Sequence, residues 1–384
     1  MDNEGRSCVY GLRHQTRCLT AVIADSESEQ NKFLVGTQSL KRENEIHLIN
    51  FYEDEFEITS TIYRHVEEVW DISACPLKSE LFFTCYKTFD SSNAKAKLWR
   101  MGDPNLSVEG QDTKFQSPRT SVAPHLPLEN VIELNVDANI KKILWDPTKK
   151  LNQIVSIHDS SFSVWSFDDQ LSSVKEPNTI DFSSENENSL SLTTGTWNPN
   201  RPEIAIGKEC AIQGWDLKSH NMTFNIEGAH SVLVRALDFN PNKPHQFASA
   251  GDDCKVRFWD LRNTSESIKE ISDHTHWVWA IAYNRFHDQL FLSSGSDCQV
   301  NLQSIVSISS AAFQYNDDDI SDDEYQDIPA NPTDGLVRTY DQHEDSVYSV
   351  AWSASDPWIF CSLSYDGRAV INKVPSEEKY KIIL

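Results

Sequence analysis

The stretch AHSVLVRALDFNP at 229–241, followed by QFASAGDDCKVRFWD at 246–260, decides the fold. A histidine opens it and an apolar–polar alternation follows. A short apolar run then leads through a Gly-Asp-Asp turn to a closing Trp-Asp. The same order returns in HTHWVWAIAYN (274–284) with QLFLSSGSDCQVNLQS (289–304), and in HEDSVYSVAWS (343–353) with IFCSLSYDGRAVINK (359–373). His230 and His274 stand 44 residues apart. A period in the forties with this opening and close marks a four-stranded β-propeller blade, a unit that buries its apolar faces only by stacking on its neighbours.

Outward from these copies, third strands end at Trp99, Trp165, Trp215 and Trp259, with Gln303 and Asn372 in the tryptophan place later on. An earlier third strand, EIHLINF (45–51), makes seven units. The chain is therefore expected to be an all-β, seven-bladed WD-repeat propeller over residues 1–384. Two gaps are long. One is 102–130, rich in Pro, Ser, Gln and Asp; the other is 309–334, which contains DDDISDDEYQD. Both hold few core-forming residues and are expected to be mobile loops inserted between third and fourth strands. A closed ring leaves no free sheet edge, so strands from both chain ends are expected to complete one blade. VYGL (9–12) and YKIIL (380–384) compete for that closing place.

His230, Ser249, Asp253 and Trp259 include the residue types of a nucleophilic triad. The same spacing recurs as His343, Ser362 and Asp366, and in part as His274, Ser293 and Asp297. Catalysis gives no reason for a triad to repeat at blade period. A structural tetrad does, because each blade must satisfy its own buried polar groups. No Gly-rich phosphate loop, glycosidase-like acid pair or Cys/His metal spacing is present. The chain is expected to be no enzyme and to carry no cofactor or metal.

There are 58 acidic and 34 basic residues, a net charge of −24. That removes the electrostatic term behind phosphate contacts, so nucleic acid is not an expected partner. Anionic lipid is disfavoured for the same reason, and a membrane role is expected only through partners. The eight cysteines form no C-x-x-C pair, and neither a signal peptide nor an 18-residue apolar run is present, which points to the cytoplasm.

Binding residues are expected where first strands begin. Aligned on their histidines, the blades place Trp70, Arg235, Trp277, Trp279 and Tyr348 at the rim of the central channel. Trp, Tyr and Arg are the types enriched at binding hot spots. The acidic surface around them is expected to favour a basic partner segment. Ser321 precedes Asp322, Asp323 and Glu324, a context suited to acidophilic kinases, and is expected to be a regulatory site. FWDLR (258–262) also fits a WD-x-R pattern in which Arg262 is the informative residue.

Taken together, FLVGTQSL (33–40), NEIHLINF (44–51), EVWDISACP (68–76), DFNPNKP (238–244), GDDCKVRFWDLRN (251–263), HTHWVWAIAYNRFHDQLFLSSGSD (274–297), DDDISDDE (317–324) and HEDSVYSVAWSASDPWIFCSLSYDGR (343–368) closely resemble the EARP and GARP complex-interacting protein family. The resemblance implies a propeller adaptor for the endosome-associated recycling complex (EARP) and the Golgi-associated retrograde complex (GARP). It further implies roles in endosomal recycling, retrograde transport to the trans-Golgi network and dense-core vesicle cargo sorting. The expected location is cytoplasmic, peripheral at the trans-Golgi network and endosomes. Two alternatives stay open: a substrate receptor of a cullin-RING ubiquitin ligase, suggested by Arg262, and a chromatin-associated histone-binding propeller, suggested by the acidic charge.

Overall fold

The computed structural model describes residues 6–24, 30–40, 43–88, 93–102, 125–182, 191–313 and 333–383. These form seven four-stranded antiparallel sheets. The strand preceding the first blade is β1 (Cys8–Gly11). Blade 1 is β2 (Thr16–Ala21), β3 (Asn31–Thr37), β4 (Asn44–Tyr52) and β5 (Glu57–His65). Blade 2 is β6 (Glu68–Ala74), β7 (Leu81–Lys87), β8 (Lys95–Met101) and β9 (Leu128–Leu134). Blade 3 is β10 (Lys142–Trp145), β11 (Gln153–Ile157), β12 (Ser161–Ser166) and β13 (Asn178–Asp181). Blade 4 is β14 (Leu192–Trp197), β15 (Glu203–Lys208), β16 (Ala211–Asp216) and β17 (Met222–Ile226). Blade 5 is β18 (Val234–Phe239), β19 (Gln246–Gly251), β20 (Val256–Asp260) and β21 (Lys269–Ile271). Blade 6 is β22 (Val278–Tyr283), β23 (Leu290–Gly295), β24 (Val300–Ser304) and β25 (Gly335–Tyr340). Blade 7 is β26 (Val347–Trp352), β27 (Ile359–Ser364), β28 (Arg368–Lys373) and, at its outer edge, β1.

The second strands show why the blades stack. LFLSSG in β23, QFASAG in β19 and IFCSLS in β27 are buried along their whole length. Strands buried on both faces read as apolar or small at every position rather than alternating. The core lies between blades. One apolar cluster joins Leu19, Phe33 and Val35 of blade 1 to Ile359, Cys361 and Leu363 of blade 7, and another joins Ala248 and Phe258 of blade 5 to Tyr283 and Phe291 of blade 6. Each fully buried Phe or Leu there contributes about 1.5–3 kcal/mol.

β1 closes the ring, with Cys8 opposite Ile371 and Gly11 opposite Arg368. Residues 380–383 of the competing segment instead lie in helix α1 (Ser376–Ile383), whose Ile382 packs on the blade 6–7 core. Gly367 turns β27 into β28 at φ +85°, and a Cβ there would sit 2.7 Å from the His14 carbonyl oxygen, so the closing turn admits glycine alone.

The two long gaps lie between β8 and β9 and between β24 and β25. β9 begins at Leu128, inside the first expected loop. Short 3₁₀ turns at Val306–Ile308 and Ser310–Phe313 precede the second, and β25 follows at Gly335. Ser321 lies outside the described residues.

The first strands depart from simple alternation. A β-bulge interrupts the pairing of six of them, leaving unopposed Arg17, Trp70, Thr193, Arg235, Trp279 and Tyr348. In β26, Val347, Val350 and Trp352 are buried, while Tyr348, Ser349 and Ala351 are partly open on the channel. A bulge lets two successive side chains share one face and re-aims the first of them. Here it turns Arg17, Trp70, Arg235, Trp279 and Tyr348, five of the six, onto the channel.

Candidate functional site

The polar set of blade 5 is a chain of hydrogen bonds. The Trp259 Nε1–H donates to Ser249 Oγ at 2.9 Å, Ser249 lies 2.7 Å from His230 Nε2, and His230 Nδ1 lies 2.8 Å from Asp253 Oδ1. An indole only donates and a carboxylate only accepts, so the direction is fixed: Trp to Ser, Ser to His Nε2, His Nδ1–H to Asp. Ser249 is fully buried with its oxygen engaged on both sides, an arrangement that ties strands together and offers no nucleophile to a substrate. Burial alone would raise the Asp253 carboxyl, but His230, the Ser231 amide and Arg257 hold it far below the usual carboxylate range.

Other blades build the same element differently. In blade 6, His274 reaches Asp297 at 2.9 Å and Ser293 at 2.9 Å, but Gln303 turns away and donates to Asp273 at 2.9 Å. In blade 7, His343 reaches Ser362 at 2.7 Å, yet its Nδ1 meets Ser364 at 2.8 Å, and Asp366 is joined only through Ser364. The matching spacing of Asp366 and Asp253 therefore conceals different wiring: β27 ends in Ser364 where β19 ends in Gly251, and that serine takes the histidine first. Asn372 does not reach Ser362 but accepts from Ser7 at 2.5 Å, on the closing-strand side. Two further networks were not legible in the motif. Blade 2 uses His65, Thr84 and Trp99, with the Glu67 carbonyl in the aspartate place. Blade 3 takes its histidine, His158, from the turn after β11, where it bridges Ser156 and Ser161 while Trp165 donates to Ser156. Burial holds His158 and His343 down at about 4.

At the channel mouth, four of the five residues expected at the rim meet through their side chains. Trp277 and Trp279 meet edge to face at 6.0 Å, Trp279 lies 4.8 Å from Tyr348, and Arg235 lies 4.8 Å over Trp279. Arg235 is held by a bidentate pair with Asp252, both bonds at 2.7 Å. Trp70 is the fifth, and it joins through a residue the histidine alignment missed, Arg17. The Arg17 guanidinium lies 4.3 Å from the Tyr348 ring, 5.4 Å from Tyr365 and 5.6 Å from Trp70, and Nη2 donates to the Tyr348 hydroxyl at 3.0 Å. Lys87 caps Trp70 at 4.8 Å. Trp277 is 42% exposed and Trp70 37%, whereas Trp279 and Tyr348 are half-buried. The missed signal was the shorter spacing after His14, only three residues to Arg17, where other blades take five to the bulge.

Below the rim the channel encloses about 670 Å³ and is walled by the first strands of all seven blades. Its charged lining is Arg17, Lys142, Arg235 and Arg285 against Asp71 and Asp238. Burial pushes both carboxyls up to about 6, opposed at Asp71 by Lys142 and the Ile143 amide and at Asp238 by the Tyr283 amide. Among the described residues no cluster of three or more His, Cys, Asp or Glu is placed to hold a metal ion, and no helix is long and apolar enough to cross a membrane. On the opposite face, Arg262 folds back in a bidentate pair with Asp260 while most of its side chain stays exposed.

A family model described as the EIPR1 beta-propeller matches residues 5–303, and a WD domain, G-beta repeat model matches residues 335–371. The chain is 43% identical over 389 residues to the EARP-interacting protein homolog of Danio rerio, with 98% of each chain covered. It is 42% identical over 389 residues to the EARP and GARP complex-interacting protein 1 of Homo sapiens, again over 98% of each. Identity to the WD repeat-containing protein DWA2 of Arabidopsis thaliana is 36% over 370 residues, 95% of each.

Proposed function

We propose, since the chain belongs to the EIPR1 beta-propeller family, that it is a non-enzymatic adaptor for the endosome-associated recycling and Golgi-associated retrograde tethering complexes. The observation that carries this is the 42% identity along 98% of a human protein whose name states interaction with both complexes. In this reading the protein supports endosomal recycling, retrograde transport to the trans-Golgi network and dense-core vesicle cargo sorting. It acts from the cytoplasm and is held at those membranes by its partners, without nucleic acid. The channel mouth supports the reading: two exposed tryptophans stand on a half-buried aromatic and guanidinium base, the composition of a binding hot spot.

Affinity purification of the tagged full chain with mass spectrometry tests it. Subunits of the two tethers are expected with wild type and are expected to fall with Trp277→Ala. Their absence from the wild-type sample sinks the proposal. A second reading, substrate receptor of a cullin-RING ligase, draws on the exposed Arg262 and is favoured if a cullin adaptor co-purifies and is lost with Arg262→Ala. The cationic channel lining argues against basic histone tails at this face.

A further inference from the structure

The charge of the channel is the reverse of the charge of the chain. Over the sequence acids outnumber bases by 58 to 34, yet the channel lining has four basic side chains and two acidic ones. At physiological salt, exposed charges farther apart than about 8 Å are largely screened, so a segment entering the mouth is governed by the lining. The basic-partner expectation drawn from net charge does not carry over to this face.

Arg17 is the centre of the inversion. It makes no ion pair among the described residues, whereas its neighbour Arg235 is occupied by Asp252. Three rings surround its guanidinium, and its Nε is buried with no hydrogen-bond partner. Aromatic rings cover the faces of a guanidinium and leave its edge, the fork of N–H donors that matches a carboxylate. Nη2 is already oriented by the Tyr348 hydroxyl, so the fork is held before any partner arrives.

We infer that the channel mouth captures an acidic side chain from an extended segment of a partner polypeptide. Arg17 is the anion clamp, Lys87 adds positive charge beside Trp70, and Trp70, Trp279 and Tyr348 receive apolar neighbours of the acid. This deepens the adaptor reading by giving the partner's chemistry, and it rests on that reading only for which protein supplies the segment.

The test is fluorescence anisotropy on the purified full chain with three labelled octapeptides of alternating residues: Glu-Phe, Gln-Phe and Lys-Phe. The Glu-Phe peptide is expected to bind best, and Arg17→Gln is expected to weaken it about thirtyfold, with Arg17→Lys in between. Lys381→Gln, on the remote C-terminal helix, is expected to change nothing. Should Arg17→Gln melt early, Tyr348→Phe removes the hydroxyl that aims the fork and is expected to weaken the same peptide. Equal affinity for the three peptides, or unchanged affinity in Arg17→Gln, overturns the inference. So does binding of inositol hexakisphosphate with no acidic peptide bound, which would assign the mouth to a phosphorylated small molecule. Tether recovery separates this inference from the adaptor reading. If tethers co-purify with wild type while the peptides ignore Arg17, the clamp fails and the adaptor stands. If the peptides need Arg17 and no tether co-purifies with wild type, the clamp stands and the tether assignment fails.

Discussion

Replacing Asp253 with alanine removes a carboxylate that accepts from His230 at 2.8 Å, the Ser231 amide at 3.2 Å and Arg257 at 3.0 Å. Arg257 keeps Glu270 and the Ala229 carbonyl, and Ser231 is exposed to water, so neither is stranded. His230 is fully buried and loses its only acceptor at Nδ1. A charge-assisted bond contributes about 1.5–3 kcal/mol and an orphaned buried donor costs about 1–3 kcal/mol, which together give roughly 2–4 kcal/mol once overlap is allowed for. At about 2 cal/mol/K of unfolding entropy per residue, that lowers Tm by roughly 3–5 °C in a chain of this size. Asp366→Ala is the internal comparison. It meets His343 only through Ser364, whose hydroxyl can turn to the Arg368 carbonyl, so the cost is expected below about 1 kcal/mol. Acidity separates the electrostatic part. A carboxyl held below its unfolded value stabilises above that value and loses the effect as pH falls through the folded one. The gap between wild type and Asp253→Ala is therefore expected to stay constant from neutral pH to about 5 and to narrow progressively as pH falls below about 4 towards the folded value. Scanning fluorimetry of both variants across pH is the assay. Equal shifts for Asp253→Ala and Asp366→Ala, or no shift for either, would refute the wiring.

Three further outcomes follow from the same geometry. His158 and His343 sit near 4 inside and 6.5 outside the fold, so the protonated form is disfavoured on folding; Tm is expected to decline between pH 6.5 and 4, less so in His343→Gln, and a flat melting profile there contradicts their buried neutral state. Trp277→Ala, at an exposed site, is expected to leave Tm within about 1 °C while lowering tether recovery, and full recovery moves the interface away from the channel mouth. Deleting residues 1–11 bares the edge of β28 and is expected to yield oligomers in size-exclusion chromatography; a monomer melting like wild type would show that β1 is dispensable for closure.

The blades were legible because their period carries both the strand pattern and the histidine and tryptophan positions. What stayed hidden depends on neighbours in space. The spacing of Asp366 matches that of Asp253, and only the serine at 364 shows that the proton chain runs differently. His158 enters its network from a turn, so the motif order breaks although the hydrogen bonds do not. Arg17 eluded the alignment because the bulge, rather than the count from the histidine, decides which side chain reaches the mouth. Net charge misled for a related reason: it sums the whole surface, while a channel walled by seven strands presents its own.

Closure by β1 also has a timetable. Cys8–Gly11 leaves the ribosome long before Arg368–Lys373, the strand it must pair with. At about 5–20 residues per second, the interval is on the order of 20–70 s. For that time the first strand waits with unmet amides while blades assemble behind it, and bringing its ends together adds roughly 5 kcal/mol of loop-closure entropy if the intervening chain is still unfolded. Each finished blade shortens the effective loop. The ring is thus best closed last, by a short strand that has little to lose by waiting, and a holding chaperone would find its window there.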